Sequence, residues 1–593
     1  MDSHARLYLT LCRVLDALSA EAPPSAATYY PPAGNQEALI QARSRALIHL
    51  FLKAKYGRIS FKDREYQTTD GPQDGGIDAF HIDQANKVIC VLQSKFRASA
   101  GNMVASNMST DDLLKMDVAR ILKGEKKDDK GIKYNDGILR LQREIQKLPD
   151  AGSYTTKVIL LGNAKRFTAS QKKKLVDGYH VDQYDHERLY QELLFPIVNG
   201  TFFADPNLTI QINLANLKGD SHLDYDVKAQ GQRANIKLLF VPTREVGQIM
   251  SKYKNSILKF NPRSFLELQT NTVNQQIEAS IRDGEGNEFA LFNNGITIIS
   301  DRTSISSDTA KQGAAQIVLR NPQLVNGGQT AYTLSRVFET CQSLNDYSPF
   351  KGKEVLLRVI TFVDPGKPAT AATRLQLIGD VSKASNSQTK IDESDRRSND
   401  EIQVQLQSEF FTKYGLYYER KRGEFADGLR AHYIDGALLV NRERLLRISL
   451  AIDFKINLAR SSVSKFFHED ALASQLSVKK TASYAFGYEI YSCLEKKRRE
   501  KPLSKGDRYH TKQYGQALRY GQYAVTAVCS KHSAGKKSAM EVASSVLDQW
   551  PTFEDWIQKQ PSNKAYRDGT AFDFVNYYKG ATINSDVQSF KFK

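Results

Sequence analysis

Two β-forming runs joined by a four-residue turn constrain the fold of this chain most strongly. Ile77–Ile82 alternates between polar and apolar residues, Lys87–Phe96 is rich in apolar and β-branched residues, and Asp83-Gln-Ala-Asn86 between them has the composition of a turn. The pattern predicts a β-hairpin. Apolar residues at helical spacing after Asn35 predict a helix before the hairpin, and Gly57 ends it.

Helical and strand patterns alternate after the hairpin. The stretch Ser109–Lys147 is charged and helical in pattern, with a solvated loop at Gly124–Lys130. A strand, a helix, a strand and a helix are then expected at Lys157–Leu161, Ser170–Val176, Val181–Tyr184 and Glu187–Leu194. This order of elements is typical of an α/β layer architecture.

The remaining sequence indicates an α/β multidomain protein. We predict an N-terminal helix and Pro-rich linker at 1–34, an α/β domain at 35–200 with a helical insertion at 98–150, a linker at 201–234, a central α/β domain at 235–456 and a mostly α-helical C-terminal region at 457–593. In the central domain, strands are expected at Ile236–Val241, Gly295–Ser300, Gln316–Leu319 and Val355–Phe362, and helices at Thr243–Tyr253, Gln329–Leu344, Ala369–Lys383 and Asp400–Tyr414.

Charge and cysteine content narrow the class of function. The 593 residues include 83 Lys and Arg against 66 Asp and Glu, and the net charge of +17 favours a polyanionic partner. The five cysteines lie far apart, without the spacing of a zinc site, and no apolar run approaches the roughly 20 residues that span a bilayer. Together with the lack of a signal peptide, these features predict a cytoplasmic protein without membrane contact.

Polar residues collect at the open end of the predicted hairpin. Asp78 begins the first strand, and Gln93 and Lys95 lie two residues apart near the end of the second, so both face one side. Carboxylate and amide oxygens suit Mg²⁺, which polarises a water and offsets phosphate charge, and a nearby lysine can orient or deprotonate that water. The three residues are therefore candidates for a Mg²⁺ (or Mn²⁺) site, although Gln-x-Lys on a strand is common by chance and an Asp before a hairpin is usually turn chemistry.

This grouping resembles a known nuclease signature. Asp78…Gln93-x-Lys95 is similar to the D…(E/Q)xK pattern of the PD-(D/E)xK nucleases, in particular the Mrr-like restriction endonucleases, and the similarity continues through 157–163, 167–171 and 181–189. The resemblance implies a restriction-endonuclease-like α/β/α fold for 35–200 and DNA as the substrate. It implies that Asp78 and Gln93 bind the metal and that Lys95 faces the water or the phosphate.

The same family completes its metal site with an acidic residue on the first helix. Glu37 is the best match to that residue in this sequence, as both a catalytic residue and a metal ligand. Its helical position is off the apolar stripe, so Glu65 and Asp74 are alternatives.

Asn- and Gly-rich motifs mark the central domain. They are Asn293-Asn-Gly295, Asn326-Gly-Gly-Gln-Thr330 and Ser385-Asn-Ser-Gln-Thr-Lys-Ile391. Such residues form turns with positive φ, or hydrogen-bond a base or phosphate. In their order they resemble the NNGI, VNGxQT and SNxQxxI motifs of the AIPR (abortive infection phage resistance) family over about 235–456. The resemblance implies a role in bacterial defence against phage without defining a reaction.

A basic segment, Lys496–Lys512, lies in the C-terminal region, with tyrosines within it and close behind it. This combination suits contact with a phosphate backbone and stacking on bases, although a solvated loop between helices explains it equally well. The predicted nucleic-acid contacts are Lys496, Lys497, Arg498, Arg499, Lys505 and Arg508.

The sequence thus predicts an anti-phage defence nuclease that cuts DNA with Mg²⁺ and is controlled or targeted by its AIPR-like domain. Its expected partners are DNA, phage DNA included, and a second copy of the chain or another defence-system subunit. The alternative is a catalytically degenerate protein that binds or senses nucleic acid in a defence system. A third hypothesis is that the AIPR-like region binds a nucleotide.

Overall fold

The computed structural model describes most of the chain and divides it into two compact units. Described are residues 3–593 except 85, 203–207, 215–221, 230–231, 260, 262–271, 283–285, 307–314, 363–376, 383, 385–392, 462, 469–470, 502–505, 532–537 and 569–570. Unit 1 comprises Met1–Ser385 and Gly423–Ile434, and unit 2 comprises Asn386–Arg422 and Asp435–Lys593. In the part of the chain that is described, every helix is too short or too polar to cross a membrane.

A four-stranded mixed sheet lies in the N-terminal part of unit 1. Its order is β1-β2-β3-β4, with β1 and β2 antiparallel as the predicted hairpin and both β2–β3 and β3–β4 parallel. The strands are β1 (Ala79–Asp83), β2 (Val88–Ser94), β3 (Thr155–Leu161) and β4 (His180–Tyr184). The helices are α1 (Ser3–Ser19), α2 (Gln36–Tyr56), α3 (Phe61–Gln67), α4 (Ala100–Ala105), α5 (Thr110–Leu114), α6 (Val118–Leu122), α7 (Asp136–Gln146), α8 (Ala169–Leu175), α9 (His186–Leu189) and α10 (Phe195–Asn199), with a π-helical turn at Tyr190–Leu194.

Helix α2 covers one face of this sheet. Its first turn is capped by the Asn35 side chain, which accepts a hydrogen bond from the amide of Ala38, and Gly57 ends it with φ +60°. On the buried side, the Phe51 ring meets the edge of Tyr184 on β4, with centroids 5.1 Å apart. The predicted helix after Asn35 is therefore confirmed.

Helices of the segment 98–150 cover the other face. Phe80 and Val91 of the hairpin share a buried cluster with Ile121 of α6 and with Ile138 of α7. The predicted helical insertion is thus an integral layer, and the sheet lies between helices on both sides.

The N-terminal segment 1–34 also packs onto this region. Arg43 of α2 holds Asp16 of α1 through two hydrogen bonds of 2.8 Å. Tyr29, in the stretch predicted as a linker, is buried, and its hydroxyl lies 2.7 Å from Nε2 of His49. The segment is therefore part of the α2 layer rather than a helix on a free linker.

Two further sheets lie in the rest of unit 1. A three-stranded sheet has the order β5-β10-β9, and a five-stranded sheet has the order β11-β8-β12-β7-β6. The strands are β5 (Thr209–Leu214), β6 (Leu223–Ala229), β7 (Gln232–Pro242), β8 (Ile296–Ser300), β9 (Arg302–Ser306), β10 (Ala315–Arg320), β11 (Gln323–Asn326) and β12 (Glu354–Phe362). The helices are α11 (Thr243–Tyr253), α12 (Thr272–Arg282), α13 (Glu288–Phe292) and α14 (Gly328–Leu344), together with Ala426–Arg430.

The segment 201–234, predicted as a linker, contains strands β5 and β6. In β5 the buried residues alternate as Ile210, Ile212 and Leu214, while the residues between them are exposed. A strand with one polar face has a polar average composition, which explains why the segment resembled a linker. The four predicted strands and the helices at Thr243–Tyr253 and Gln329–Leu344 are confirmed. The predicted helix Ala369–Lys383 lies mostly outside the described residues, and 377–382 are helical.

Unit 2 is mainly helical, as predicted for the C-terminal region. Its core surrounds Trp550, which is fully buried. Two small strand pairs, Tyr417–Glu419 with Leu439–Asn441 and Arg567–Asp568 with Ala571–Phe572, accompany the helices. The helices are Glu393–Arg396, Glu401–Tyr414, Arg442–Ile452, Ile456–Arg460, Ala471–Gln475, Thr481–Arg499, Thr511–Tyr514, Gln522–Lys531, Ala539–Lys559, Phe574–Tyr577 and Thr582–Ser589.

Candidate active site

The loop before β1 gathers three carboxylates. The backbone carbonyl of Asp78 accepts hydrogen bonds from the amides of Thr69 at 2.8 Å and Asp70 at 3.0 Å, so the chain folds back on itself. Within the loop, Asp74 accepts a hydrogen bond of 2.8 Å from the amide of Gly76. One oxygen each from Asp70, Asp74 and Asp78 lies within 4.8 Å of the others.

Two adjacent glycines make this loop conformation accessible. Gly75 and Gly76 have φ of +58° and +69°, which is the left-handed region. A Cβ atom on Gly76 would lie 2.6 Å from the backbone oxygen of Lys115, so a side chain does not fit. The sequence Asp74-Gly-Gly-Ile-Asp78 is therefore explained by the turn that brings its two aspartates together.

Asp78 is held at the open end of the hairpin, directly before β1. Its Oδ2 accepts a hydrogen bond of 2.6 Å from the amide of Ser94. The pairing of Ala79 with Leu92 puts Asp78 opposite Gln93, one position further along the hairpin. Burial raises the pKa of Asp78 well above its usual range, against the opposing effect of the Ser94 amide, and the neighbouring Asp70 and Asp74 carboxylates raise it further. Burial raises the pKa of Asp74 as well.

Helix α2 reaches the site through two consecutive residues. The Ser94 hydroxyl donates to the backbone carbonyl of Ser44 at 3.1 Å, and Nε of Arg45 lies 2.6 Å from Oδ2 of Asp70. Arg45 thus supplies one positive charge to the rim of the carboxylate cluster. The ion pair is partly exposed, so its own contribution to stability is small.

The structure does not bring Glu37 into this cluster. Glu37 is exposed in the first turn of α2 and lies eight residues before Arg45, about 12 Å along the helix axis. The alternative Glu65 hydrogen-bonds to Tyr29, and its Oε2 lies 3.3 Å from Nε2 of His49. The other alternative, Asp74, does belong to the cluster.

Gln93 and Lys95 face the same side, as their spacing predicted, and both contact Asp112 of α5. Gln93 Nε2 donates to the backbone carbonyl of Asp112 at 2.8 Å, and Lys95 Nζ lies 3.3 Å from its Oδ1. Gln93 is only 9% exposed, and its Oε1 has no hydrogen-bond partner among the residues that the structure describes. The Lys95 side chain is 44% exposed.

The carboxylates of Asp70, Asp74 and Asp78 form a donor set of the kind that hard divalent cations such as Mg²⁺ and Mn²⁺ accept. Gln93, which lies opposite Asp78 in the hairpin register, adds a buried amide oxygen without a hydrogen-bond partner among the described residues. Asp70 was missed by the sequence analysis. Its signal was the spacing of Asp70, Asp74 and Asp78 at every fourth residue across a Gly-rich loop, where a turn can superpose them.

Two Asn/Gly motifs of the central domain, Asn293–Gly295 and Asn326–Thr330, lie against each other, and their glycines allow the close approach of the two backbones. Strand β11 pairs with β8, and Asn293 Nδ2 donates to the hydroxyl of Thr330 at 3.0 Å. Gly295 and Gly327 have φ of +81° and +80°, and a Cβ on Gly327 would lie 2.7 Å from the backbone oxygen of Gly295. This geometry favours the interpretation of these glycines as turn residues. The third motif, Ser385–Ile391, lies outside the described residues.

The basic segment borders an open cavity of about 540 Å³ in unit 2. Its lining includes Arg498, Arg499, Arg508 and Tyr509. Part of the positive charge is already paired, because Lys497 lies 2.9 Å from Glu500, and Arg498 and Arg499 lie 2.8 and 3.8 Å from Glu495. Lys496 is on the same helix, and Lys505 lies outside the described residues.

Comparison with known protein families finds a similarity in the central part of the chain. Residues 258–545 match the family model described as AIPR protein. This stretch of the chain is therefore similar to the AIPR family, and residues 258–545 are called the AIPR region below. This region includes the Asn/Gly motifs and the basic segment, and it begins after the four-stranded sheet with its carboxylate cluster. No curated protein and no solved structure matches the chain.

Proposed function

We propose that this protein is a metal-dependent endonuclease of anti-phage defence, in which the N-terminal region cuts DNA and the AIPR region targets or restrains it. The observation that carries this proposal is the cluster of Asp70, Asp74 and Asp78 at the end of the hairpin that bears Gln93 and Lys95. The AIPR match supports the defence role, since abortive infection is the process for which that family is named.

The arrangement supports hydrolysis through the positions of its own side chains. Asp78 is held in orientation by the Ser94 amide, and Asp74 by the Gly76 amide, so neither carboxylate has to reorganise in order to bind a cation. A bound Mg²⁺ would polarise a water and offset charge on the phosphate. Lys95 is exposed enough to contact a phosphate oxygen or to orient that water.

A cleavage assay with matched variants tests the proposal. We expect the full chain to nick or linearise plasmid DNA with Mg²⁺ and not with EDTA. Asp78→Asn and Lys95→Ala should each lower the cleavage rate by about 100-fold or more, because one removes a ligand charge and the other the phosphate- or water-facing group. Asp83→Asn and Lys87→Ala change the same residue types at the opposite end of the hairpin and should leave the rate unchanged.

Equal cleavage by all four variants would place the nuclease activity elsewhere. Absence of Mg²⁺-dependent cleavage by the wild-type chain, on duplex DNA, single-stranded DNA and RNA alike, would favour the degenerate, nucleic-acid-sensing alternative. Thermal unfolding of each variant, measured alongside, identifies any loss of activity that is due to loss of the fold.

A further inference from the structure

Asp112 contacts both polar side chains that the hairpin contributes to the candidate site. Its backbone carbonyl accepts from Gln93 Nε2 at 2.8 Å, and its carboxylate lies 3.3 Å from Lys95 Nζ. No sequence pattern singled out this residue. It lies in the segment 98–150, on the short helix α5.

The Asp112 carboxylate is fixed in place before it meets Lys95. It forms a capping box with Ser109, in which Oδ2 accepts from the Ser109 amide at 2.7 Å and the Asp112 amide donates to the Ser109 hydroxyl at 3.0 Å. The other carboxylate oxygen of Asp112, Oδ1, is therefore available to pair with the Lys95 ammonium. Burial opposes ionisation of Asp112, but the hydrogen bonds from Ser109 and the ammonium of Lys95 lower its pKa overall, so it is an anion at neutral pH.

The carboxylate cluster is a second group of acidic side chains that can attract the Lys95 ammonium. The carboxyl groups of Asp70, Asp74 and Asp78 each place one oxygen within 4.8 Å of the others, and the ion pair of Arg45 with Asp70 supplies one positive charge there. A lysine ammonium is a compact point charge on a flexible stem and can move toward such a site. An ammonium among those carboxylates would compete with a divalent cation for the same oxygens.

We propose that Asp112 is a positioning residue, which holds the Lys95 ammonium beside the three-carboxylate cluster and thereby keeps the cluster open to a divalent cation. This inference rests on the metal site of the proposed function and extends it. The segment 98–150 then contributes to cation binding without supplying a ligand. Lys95 becomes available to the substrate from a defined position.

Mn²⁺ affinity, measured on the full chain at fixed pH by isothermal titration calorimetry, tests this role without a cleavage readout. Asp112→Asn keeps the side-chain size and an oxygen that can accept from Ser109, but it removes the charge that holds Lys95. We expect it to weaken Mn²⁺ binding by about tenfold. The double variant Asp112→Asn/Lys95→Ala should return the affinity to within about twofold of wild type, because the competing ammonium is gone.

Asp111→Asn is the matched control, since it removes the same charge from the exposed neighbour on α5, and it should bind Mn²⁺ as wild type does. Asp112→Gln removes the charge with a side chain that can also accept from the Ser109 amide at the third helical position, and it replaces Asp112→Asn if that variant does not unfold cooperatively. The positioning role is overturned if Asp112→Asn binds Mn²⁺ as tightly as wild type. It is also overturned if the single and double variants are equally weak.

The outcomes separate this inference from the proposed function. If wild type binds no Mn²⁺, the metal site and the positioning role both fail. If the predicted Asp112–Lys95 coupling is measured while DNA stays uncut, the positioning role stands and the nuclease proposal fails.

Discussion

At the scale of single residues, unit 2 also contains a buried carboxyl group with a raised pKa, that of Glu554. Glu554 is 5% exposed, and its Oε1 accepts hydrogen bonds from the Tyr578 hydroxyl at 2.7 Å and from the amide of Gln516 at 2.8 Å. Burial raises the pKa of Glu554 to about 7, although both hydrogen bonds oppose the shift. This group therefore links the stability of unit 2 to pH.

The sign of that linkage follows from the raised pKa. Because the folded state holds the Glu554 proton more tightly than the unfolded chain does, the stabilisation is complete below about pH 4.5 and is lost as the pH rises toward 7. The difference amounts to about 3 kcal/mol. Glu554→Gln should remove this part of the pH dependence and leave unit 2 more stable than wild type at pH 8.

Tryptophan fluorescence during urea unfolding measures this effect selectively, since Trp550 and Trp556 are the two tryptophans of the chain and both lie in unit 2. Asp548→Asn removes an exposed carboxylate from the same helix and should keep the wild-type pH dependence. Parallel pH profiles for wild type and Glu554→Gln between pH 4.5 and 8 would contradict the assignment.

The candidate site contains residues that the sequence pattern predicted and residues that it did not. Asp78, Gln93 and Lys95 were predicted because a hairpin fixes which residues lie opposite each other and which share a side. Asp70 and Asp112 were not predicted, because a Gly-rich loop and a separate helix bring them there, and neither obeys a fixed period. Glu37 was assigned from the resemblance, whereas α2 approaches the site at Ser44 and Arg45.

At the scale of elements, the junction between β8, β11 and α14 depends on close backbone approach. Gly327→Ala would introduce a methyl group 2.7 Å from the Gly295 carbonyl oxygen at a φ of +80°. We expect a loss of stability of about 3 kcal/mol or more, from the strained φ together with the overlap. The change should appear as a lower midpoint in thermal unfolding followed by circular dichroism.

Gly352→Ala separates the backbone strain from the steric overlap, since Gly352 has a φ of +71° and open space around its Cβ position. It should cost only the backbone strain, about 1 kcal/mol. Equal effects of the two substitutions would mean that the close approach at Gly327 does not matter, and the steric account of the motif would then be wrong.

The segments predicted as linkers show where element prediction fails. Most strands and helices of the first 200 residues follow from periodicity, because their buried faces are strongly apolar. Strand β6 has no such face: Leu223 and Tyr225 are exposed, and Asp224 and Asp226 accept hydrogen bonds from Asn235 on β7. Pairing to a neighbouring strand, rather than burial, makes that segment a strand.

At the scale of the whole molecule, the net charge of +17 favours a polyanionic partner, and the nucleic-acid contacts predicted for the basic segment can be tested. The basic segment of unit 2 offers exposed guanidinium groups at Arg499 and Arg508 beside Tyr509. If these bind phosphates, Arg499→Ala with Arg508→Ala should weaken duplex DNA binding and flatten the plot of log K against log salt by about 0.9 for each phosphate that is no longer neutralised. Sequence preference should not change.

Fluorescence anisotropy titrations at several salt concentrations measure this slope. Lys559→Ala with Lys564→Ala removes the same charge from two other exposed positions of unit 2 and should leave the slope as in wild type. A slope unchanged by the arginine pair would assign the basic segment to a solvated surface.

The interleaved course of the chain has a consequence for its synthesis. Unit 1 includes Gly423–Ile434, where Gly428 packs so closely on Val198 that a Cβ would lie 2.6 Å from its carbonyl oxygen, and where the carbonyl of Glu424 accepts from Asn255 at 3.1 Å. A ribosome makes residues 386–422, which belong to unit 2, before it makes this piece. Unit 1 therefore completes its packing only after residues 386–422 of unit 2 have been synthesised. A chain that ends before residue 423 therefore lacks the segment of unit 1 that packs on Val198 and accepts a hydrogen bond from Asn255.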